Sequence, residues 1–213
     1  MAALSLQDIL VSGQVRLATS PVGEHAASPT WNLATLAGRY VELTARGPAA
    51  RLTLAGALLL EAQLAREPAA WITAPTSTFF APDLARNGVD VGAVVVVRAP
   101  TTLAMLRAAD TLLRAGAFGL VVVDFESAQA TDPIPLAAQT RLVGLAQHHQ
   151  ALLLCLTRRG ESTPPGLASL RVEASLVRAG SGRFESRLEA VKDKRGSPGW
   201  RQTTLLRTVP GLG

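Results

Sequence analysis

The sequence predicts an α/β fold in which a mostly parallel central sheet is flanked by helices. Short apolar runs at 93–97, 118–124 and 151–156 have the length and the Val/Leu content of buried strands, and helix-like segments separate them. Strands that alternate with helices imply right-handed crossovers and therefore parallel pairing. Beyond residue 165 the period changes to an alternation of apolar and polar residues. This alternation predicts an antiparallel hairpin and meander that extend the sheet.

Length and composition predict one main domain. The chain has 213 residues, of which 48% are hydrophobic, enough for one substantial core. We expect an N-terminal helix and lead-in at 1–35 and a core domain at 36–213. Residues 5–17 have a capping-box-like start and apolar residues at helical spacing. This helix either packs on its own domain or docks on a partner, and the Pro- and Gly-containing stretch at 18–37 is expected to be irregular.

The composition also argues against several classes of protein. Cys155 is the only cysteine and only three histidines accompany it, so we expect neither an internal disulfide nor a metal site. The N-terminus lacks the apolar core of a signal peptide, and no apolar run approaches the roughly 20 residues of a membrane span. We therefore expect a cytoplasmic protein that has no membrane partner.

The net charge of +5 is unevenly distributed. Residues 1–135 carry 9 Lys/Arg and 11 Asp/Glu, whereas residues 136–213 carry 12 and 5, a net of +7. A basic segment indicates contact with nucleic acid or with an acidic protein surface. The alternative is an ordinary solvated surface, and the sequence leaves both interpretations open.

The first segment of the core has the order of a phosphate-binding loop. Residues 40–44 form a short β-rich run, residues 45–53 a loop with Gly and Pro, and an apolar helix extends from Arg51 to about Arg66. In such an arrangement the backbone N–H groups and the helix N-terminus face an anion. The helix is apolar on nearly every side, which predicts burial against the sheet.

The next elements continue the alternation of strands and helices. Residues 71–74 predict a short strand that ends at Pro75. Residues 82–88 predict a brief helix closed by an Asn-Gly pair. The continuous β-branched run at 93–97 predicts a strand covered on both faces.

Thr101 is the predicted N-cap of a further helix that ends at Gly116. Its buried stripe is expected to include Leu103, Leu106 and Leu113. The remaining predicted elements are a strand at 118–124, a helix from about 133 to 150, a strand at 151–156, and antiparallel strands at 170–176, 184–191 and 200–209.

Six segments, collinear over about residues 36–208, resemble the core of the RecA recombinase superfamily. They are GRYVEL at 38–43, WITA at 71–74, LARNGVD at 84–90, LLRAGA at 112–117, LVVVD at 120–124 and AVKDK at 190–194. Within that superfamily the small size and the altered loop resemble most the ImuA family, the RecA-like accessory proteins of bacterial damage-induced mutagenesis. The SulA family of cell-division inhibitors is a less close match. The resemblance implies a RecA-like core.

The resemblance also implies a degenerate Walker A loop. The phosphate-binding lysine of the family falls at Arg51, and the magnesium-binding hydroxyl falls at Leu52, with Thr53 one place late. Ala45 and Ala50 stand where the family has glycines, whose lack of a Cβ atom shapes the loop. Arginine is bulkier and more planar than lysine, so we expect no nucleotide cofactor. The loop residues concerned are Ala45, Gly47, Ala50, Arg51, Leu52 and Thr53.

The catalytic acids that the resemblance implies are incomplete. The glutamate that orients the attacking water falls near Pro75, whereas Asp124 stands in the place of the metal-associated acid. Asp124 is either that residual acid or a strand-end acid that caps the following loop. Because phosphoryl transfer needs several groups acting together, we expect no catalytic residues and no enzyme activity.

The family's DNA-binding loops are also poorly represented. The first would be 126–132, which is acidic and has no Lys or Arg, and the second contains Arg158 and Arg159. Neither has an aromatic residue for base stacking, so only weak or indirect DNA contact is expected. Lys192 and Lys194 match basic residues at the subunit interface of RecA filaments, which implies docking on a RecA-type surface. Simple solvation of a strand end is the alternative.

The resemblance therefore implies a non-catalytic accessory protein that regulates recombination or recruits translesion synthesis. Its expected partners are RecA, an ImuB-like inactive homologue of the Y-family polymerases, and an error-prone replicative-type polymerase. Through them the protein would associate with the nucleoid. One alternative is a residual nucleotide-dependent DNA-binding ATPase that uses Arg51 and Asp124. Another is a SulA-like inhibitor of cell division.

Overall fold

The computed structural model describes residues 31–45, 48–77, 79, 81–127, 134–158, 167–178 and 183–207. The helix predicted at 5–17 lies outside these residues. The helices are α1 (Leu33–Leu36), α2 (Pro48–Leu64), α3 (Ala81–Arg86), α4 (Thr102–Arg114) and α5 (Leu136–His148). The strands are β1 (Tyr40–Ala45), β2 (Ala69–Thr73), β3 (Val94–Arg98), β4 (Leu120–Asp124), β5 (Leu152–Arg158), β6 (Leu170–Arg178), β7 (Arg183–Asp193) and β8 (Arg201–Arg207).

All eight strands belong to one sheet, in the order β3-β2-β4-β5-β1-β6-β7-β8. Strands β1 to β6 pair parallel with one another, whereas β7 pairs antiparallel with β6 and β8 pairs antiparallel with β7. The predicted α/β class, with a mostly parallel sheet and a C-terminal antiparallel extension, is therefore confirmed. None of the helices in the described part of the chain is long and apolar enough to cross a membrane.

The sheet separates two apolar cores. On one face α2 contributes Leu54 and Leu58, which pack with Leu36 of α1 and with Val41 of β1. On the other face α4 and α5 contribute their own apolar stripes, which pack on the alternate residues of the same strands. The buried helix residues of this second core are Met105, Leu106, Ala109, Leu113, Leu142 and Ala146. Because helices cover both faces, the central strands β4 and β5 are almost wholly apolar.

The prediction that 93–97 is covered on both faces is wrong. Strand β3 lies at the edge of the sheet, and Val95 and Val96 are 45% and 39% exposed. Helix α4, which follows β3 in the chain, packs on β2 and β4 instead. A run of valines is favoured at an edge as well as in a buried strand, so the sequence alone does not separate the two cases.

Helix α4 confirms the predicted cap but not the whole predicted stripe. The Thr101 Oγ1 atom accepts a hydrogen bond from the backbone N–H of Ala104 at 3.1 Å. Leu106 and Leu113 are buried, but Leu103 is 51% exposed. Leu103 lies about 100° around the helix axis from the centre of the buried stripe, since successive residues turn by about 100°.

The structure is helical at two places where the sequence predicted irregular chain or a loop. Helix α1 lies within the stretch expected to be irregular, and the Asn32 side chain caps it by accepting from the backbone N–H of Thr35. Trp31 and Leu36 are buried in the α2-face core. Helix α2 starts at Pro48 rather than at Arg51. Proline suits the first helical turn, because its fixed φ matches the helix and its missing N–H would have no intrahelical partner.

A buried ion pair lies at the amino edge of the sheet, that is, at the edge where the parallel strands begin. Arg39, directly before β1, donates to the carboxylate of Asp193 at the end of β7 at 2.5 Å, and to the Ser169 carbonyl at 3.0 Å. The Asp193 carboxylate also accepts hydrogen bonds from the backbone N–H groups of Arg195 and Gly196 and from Nε1 of Trp200. Burial alone would raise the pKa of Asp193, but the donors, Arg39 first among them, hold it below its usual range.

We predict that Asp193→Asn lowers the free energy of unfolding at pH 7 by about 3–5 kcal/mol, because it leaves Arg39 buried without its counter-charge. Since the folded pKa is depressed, the wild-type carboxylate stabilises the fold above the unfolded pKa of about 3.9. That contribution is lost as the pH falls through the folded pKa, and the variant should lack this loss. Urea titrations across that pH range measure both effects. The exposed Asp83→Asn is the control, and equal losses in the two variants would contradict the prediction.

Candidate functional site

Four neighbouring strands bring polar residues to the carboxyl edge of the sheet. Strands β2, β4, β5 and β1 are adjacent and parallel, so their C-terminal ends lie together. In the register Asp124 pairs with Leu156, and Thr44 and Ala45 pair with Thr157 and Arg158. Open parallel sheets bind ligands in a crevice outside the carboxyl ends of their strands. This edge is therefore the place to test for a nucleotide site.

The predicted phosphate-binding loop is largely helical. Strand β1 ends at Ala45 and α2 begins at Pro48, with Arg46 and Gly47, which lie outside the described residues, between them. The predicted loop residues Ala50, Arg51, Leu52 and Thr53 all belong to the first two turns of α2. The prediction of a loop is therefore wrong for 48–50, whereas the helix predicted from Arg51 is confirmed. A helix that starts this early leaves a shorter connection than the Walker A pattern uses.

The guanidinium of Arg51 is bound by the protein itself. Arg51 is 2% exposed. Its Nη1 atom donates to the carbonyl oxygens of Ala45 and Thr157, each at 3.3 Å. Its Nη2 atom forms an ion pair with the Glu126 carboxylate. The side chain predicted to take the phosphate-binding position thus joins β1, β5 and the turn that follows β4.

Glu126 is the residue that the sequence analysis missed. It lies in a 3₁₀ turn, Phe125–Ser127, directly after β4, and its side chain is 25% exposed. In the sequence Glu126 is one acid of the segment 126–132, whose acidic character disfavours contact with DNA. Its partner Arg51 is 75 residues away in the chain, and no local pattern reveals a pair of that separation.

The predicted magnesium-binding position is also filled by core packing. Leu52 is half-buried and packs against the α2-face core, and Ala45 is buried in the same core. Neither side chain carries an oxygen that could bind a cation. Among the described residues no three His, Cys, Asp or Glu side chains are grouped to hold a metal ion.

The surroundings of Asp124 favour the interpretation as a cap. Thr73 Oγ1 donates to its carboxylate at 3.4 Å. Ser127 Oγ donates to the Asp124 carbonyl at 2.6 Å and accepts from the backbone N–H of Ala74 at 2.8 Å. Burial raises the pKa of Asp124, and the Ser127 backbone, Arg51 and Thr73 only partly offset this effect. The Asp124-x-x-Ser127 spacing is the local signal that could have predicted this turn.

The predicted basic residues divide between two edges of the sheet. Lys192 pairs with Arg171 near the start of β6, and Lys194 follows β7, so both lie at the amino edge. The six residues of β1 separate this edge from Arg51 by about 20 Å. Burial, together with Lys194 and Arg171, lowers the pKa of Lys192. One small-molecule site therefore cannot include both Arg51 and the two lysines.

Arg158 and Arg159 follow the opposite edge. Arg158 is the last residue of β5, and its backbone pairs with Ala45 at the carboxyl edge. Arg159 lies outside the described residues. The predicted DNA-contacting pair therefore remains a prediction, with one of its two residues placed beside the Arg51 ion pair.

A second buried acid lies on the α5 face of β1. Glu42 is 1% exposed and accepts hydrogen bonds from Thr157 Oγ1 at 3.2 Å and from Arg171 Nε at 2.8 Å. The Nη2 atom of Arg171 lies 2.8 Å from the same carboxylate oxygen. Through Thr157 and Arg171, the Glu42 carboxylate links β1 to β5 and to β6 by polar contacts, in addition to the apolar core. The sequence shows Glu42 as one acid within an apolar strand, which does not identify its partners.

Together these features define an α/β protein with a mostly parallel sheet and an internal ion pair at the carboxyl edge of that sheet. No protein-family model matches the sequence, and a search of the curated proteins found no match. Proposals about function therefore rest on the arrangement of the residues described above and on the resemblance of the sequence segments.

We predict that Arg51→Met lowers the free energy of unfolding by about 2–4 kcal/mol, because it removes the donor from two buried carbonyls and the counter-charge from Glu126. Arg51→Lys should recover only part of this loss, since one ammonium cannot replace the planar fork. Chemical denaturation of both variants measures the effect, with the exposed Arg107→Met as control. A wild-type stability for Arg51→Met would show that the pair is unimportant.

For Asp124 we expect a contrast between two substitutions. Asp124→Asn keeps an acceptor for the Ser127 N–H and should change the stability by less than about 1 kcal/mol, whereas Asp124→Ala should cost about 1–2 kcal/mol. Because burial raises the folded pKa, the wild type loses stability as the pH rises from the ordinary aspartate value through the folded one. The Asp124→Asn variant should not show this loss of stability with rising pH. Equal destabilisation by Asn and Ala would contradict the cap interpretation.

Proposed function

We propose that this protein is a non-catalytic accessory protein that acts by binding other proteins. The observation that carries the proposal is the Arg51 side chain, whose guanidinium is held by the Ala45 and Thr157 carbonyls and by Glu126. A phosphate group at this edge would have to displace the Glu126 carboxylate from Arg51. The remaining acid would then repel the phosphate, and breaking a buried pair costs several kcal/mol.

The more specific proposal follows the sequence resemblance. We propose a RecA-like accessory protein of damage-induced mutagenesis, with RecA, an ImuB-like polymerase homologue and an error-prone replicative-type polymerase as partners. The collinear segments support it, and two of them form β1 and β4, which flank β5 in the sheet. The position of Lys192 and Lys194 also supports it. At the amino edge these lysines can meet another protein without involving the Arg51 ion pair at the carboxyl edge.

The test is complex formation between the full-length purified protein and each of the three partners, measured by biolayer interferometry. We expect binding to RecA that Lys194→Glu weakens by about tenfold, since Lys194 is exposed and the change reverses its charge. Arg178→Glu makes the same charge change at an exposed residue, the last of β6, and should leave binding intact. If the protein binds none of the three partners, the proposed function is refuted.

The residual ATPase is distinguished by a separate measurement. Mg²⁺-ATP should not raise the melting temperature of the wild-type protein, because a ligand stabilises a fold only in proportion to its binding. ATP turnover that Asp124→Ala abolishes would overturn the non-catalytic assignment. In that case the folded Asp124→Asn variant would show whether the carboxylate itself is required.

A further inference from the structure

The helices α4 and α5 enclose a shallow groove on the outer surface, on the face of the sheet opposite α2. They pack on the same side of the sheet and contact each other. The groove has a volume of about 460 Å³, and its apolar floor is formed by Leu103, Leu106, Ala138 and Leu142. Leu106 and Leu142 are buried, whereas Leu103 is 51% exposed. Leu136 at the start of α5 does not line the groove but is 61% exposed, so an exposed leucine lies on each of the two adjacent helices.

The rim of the groove has more positive than negative charge. Among the described residues that line it, Asp110 is the one acid, and Arg141 forms an ion pair with that carboxylate. Arg107 also lines the groove, and Arg114, next to it on α4, pairs with Asp110 as well. The two helices together carry these three arginines and one acid, a net charge of +2 beside the apolar floor.

We propose that this groove binds an acidic amphipathic helix of a partner protein. The exposed leucines would receive the apolar stripe of that helix, and the arginines of the rim would face its acidic flanks. Helix-in-groove recognition uses apolar residues at positions i, i+3, i+4 and i+7, and charge complementarity sets the specificity. The two 13-residue helices are each about 20 Å long, enough for three to four turns of a bound helix.

The N-terminal segment of this chain is a poorer occupant than a partner helix. Residues 5–17 contain one acid, Asp8, and one base, Arg16, so they lack the complementary charge. The described chain begins at Trp31, which belongs to the core on the opposite face of the sheet. Its backbone N–H donates to the Gln202 side chain of β8, several strands from the groove. The proposed groove function is independent of the proposed binding to RecA.

The test uses two synthetic 14-residue peptides and fluorescence anisotropy with the full-length protein. Both peptides carry leucines at i, i+3, i+4 and i+7, and the other positions are mainly Glu in one and mainly Lys in the other. We expect the acidic peptide to bind at least about tenfold more tightly than the basic one. Arg107→Glu and Leu103→Ser should each weaken it at least about fivefold. Arg178→Glu changes the net charge equally and should have little effect.

Three results would overturn the proposal. Equal affinity for the two peptides would exclude charge recognition. Equal losses in Arg107→Glu and Arg178→Glu would show that the peptide follows the overall charge of the protein and not the groove. A higher peptide affinity in full-length Ile9→Glu would identify the N-terminal segment as the natural occupant. None of these measurements contains RecA, so failure here is separate from failure of the proposed function.

Discussion

The carboxyl edge of the sheet depends on the buried guanidinium of Arg51. A planar group with several donors can satisfy two strand-end carbonyls and one carboxylate at once, and no other side chain offers that geometry. It fastens the start of α2 to the ends of β1 and β5 and to the turn after β4. Groups of the protein itself thus satisfy the Arg51 donors outside the carboxyl ends of β1 and β5, in the region where open parallel sheets bind ligands.

Ion pairs with buried members recur along β1. Arg39 before the strand pairs with Asp193, Glu42 within it pairs with Arg171, and Arg51 after it pairs with Glu126. These pairs reach β7, β6 and the turn after β4, so the central strand carries polar links toward both sides of the sheet. Apolar packing alone tolerates many registers of similar area. A buried charge tolerates few, because a displaced partner leaves it uncompensated. We infer that these pairs specify the register of β1.

The sequence predicted the fold class well because periodicity is a local signal. Strands β4 and β5, the hairpin of β6 and β7, and the cap at Thr101 all follow from neighbouring residues. The predictions failed where position in the sheet decides the outcome, since valines suit an edge strand as well as a central one. At the candidate site the sequence pattern placed Arg51 at a phosphate-binding position. In the structure Arg51 is buried and paired with Glu126, and this contact between distant residues forms only when the chain folds. Leu103 was misplaced for a related reason, because helical spacing gives the angle between residues but not the direction of the core.

Because Arg51 is bound by the protein itself, the proposed contacts with partners are sought on the outer surface. Two parts of that surface are chemically distinct. The amino edge carries Lys192 and Lys194 beside the buried Arg39–Asp193 ion pair. The surface of α4 and α5 around the groove instead combines exposed leucines with a net positive charge. Since the amino edge and the groove lie on different parts of the molecule, the two proposed contacts do not compete for the same residues.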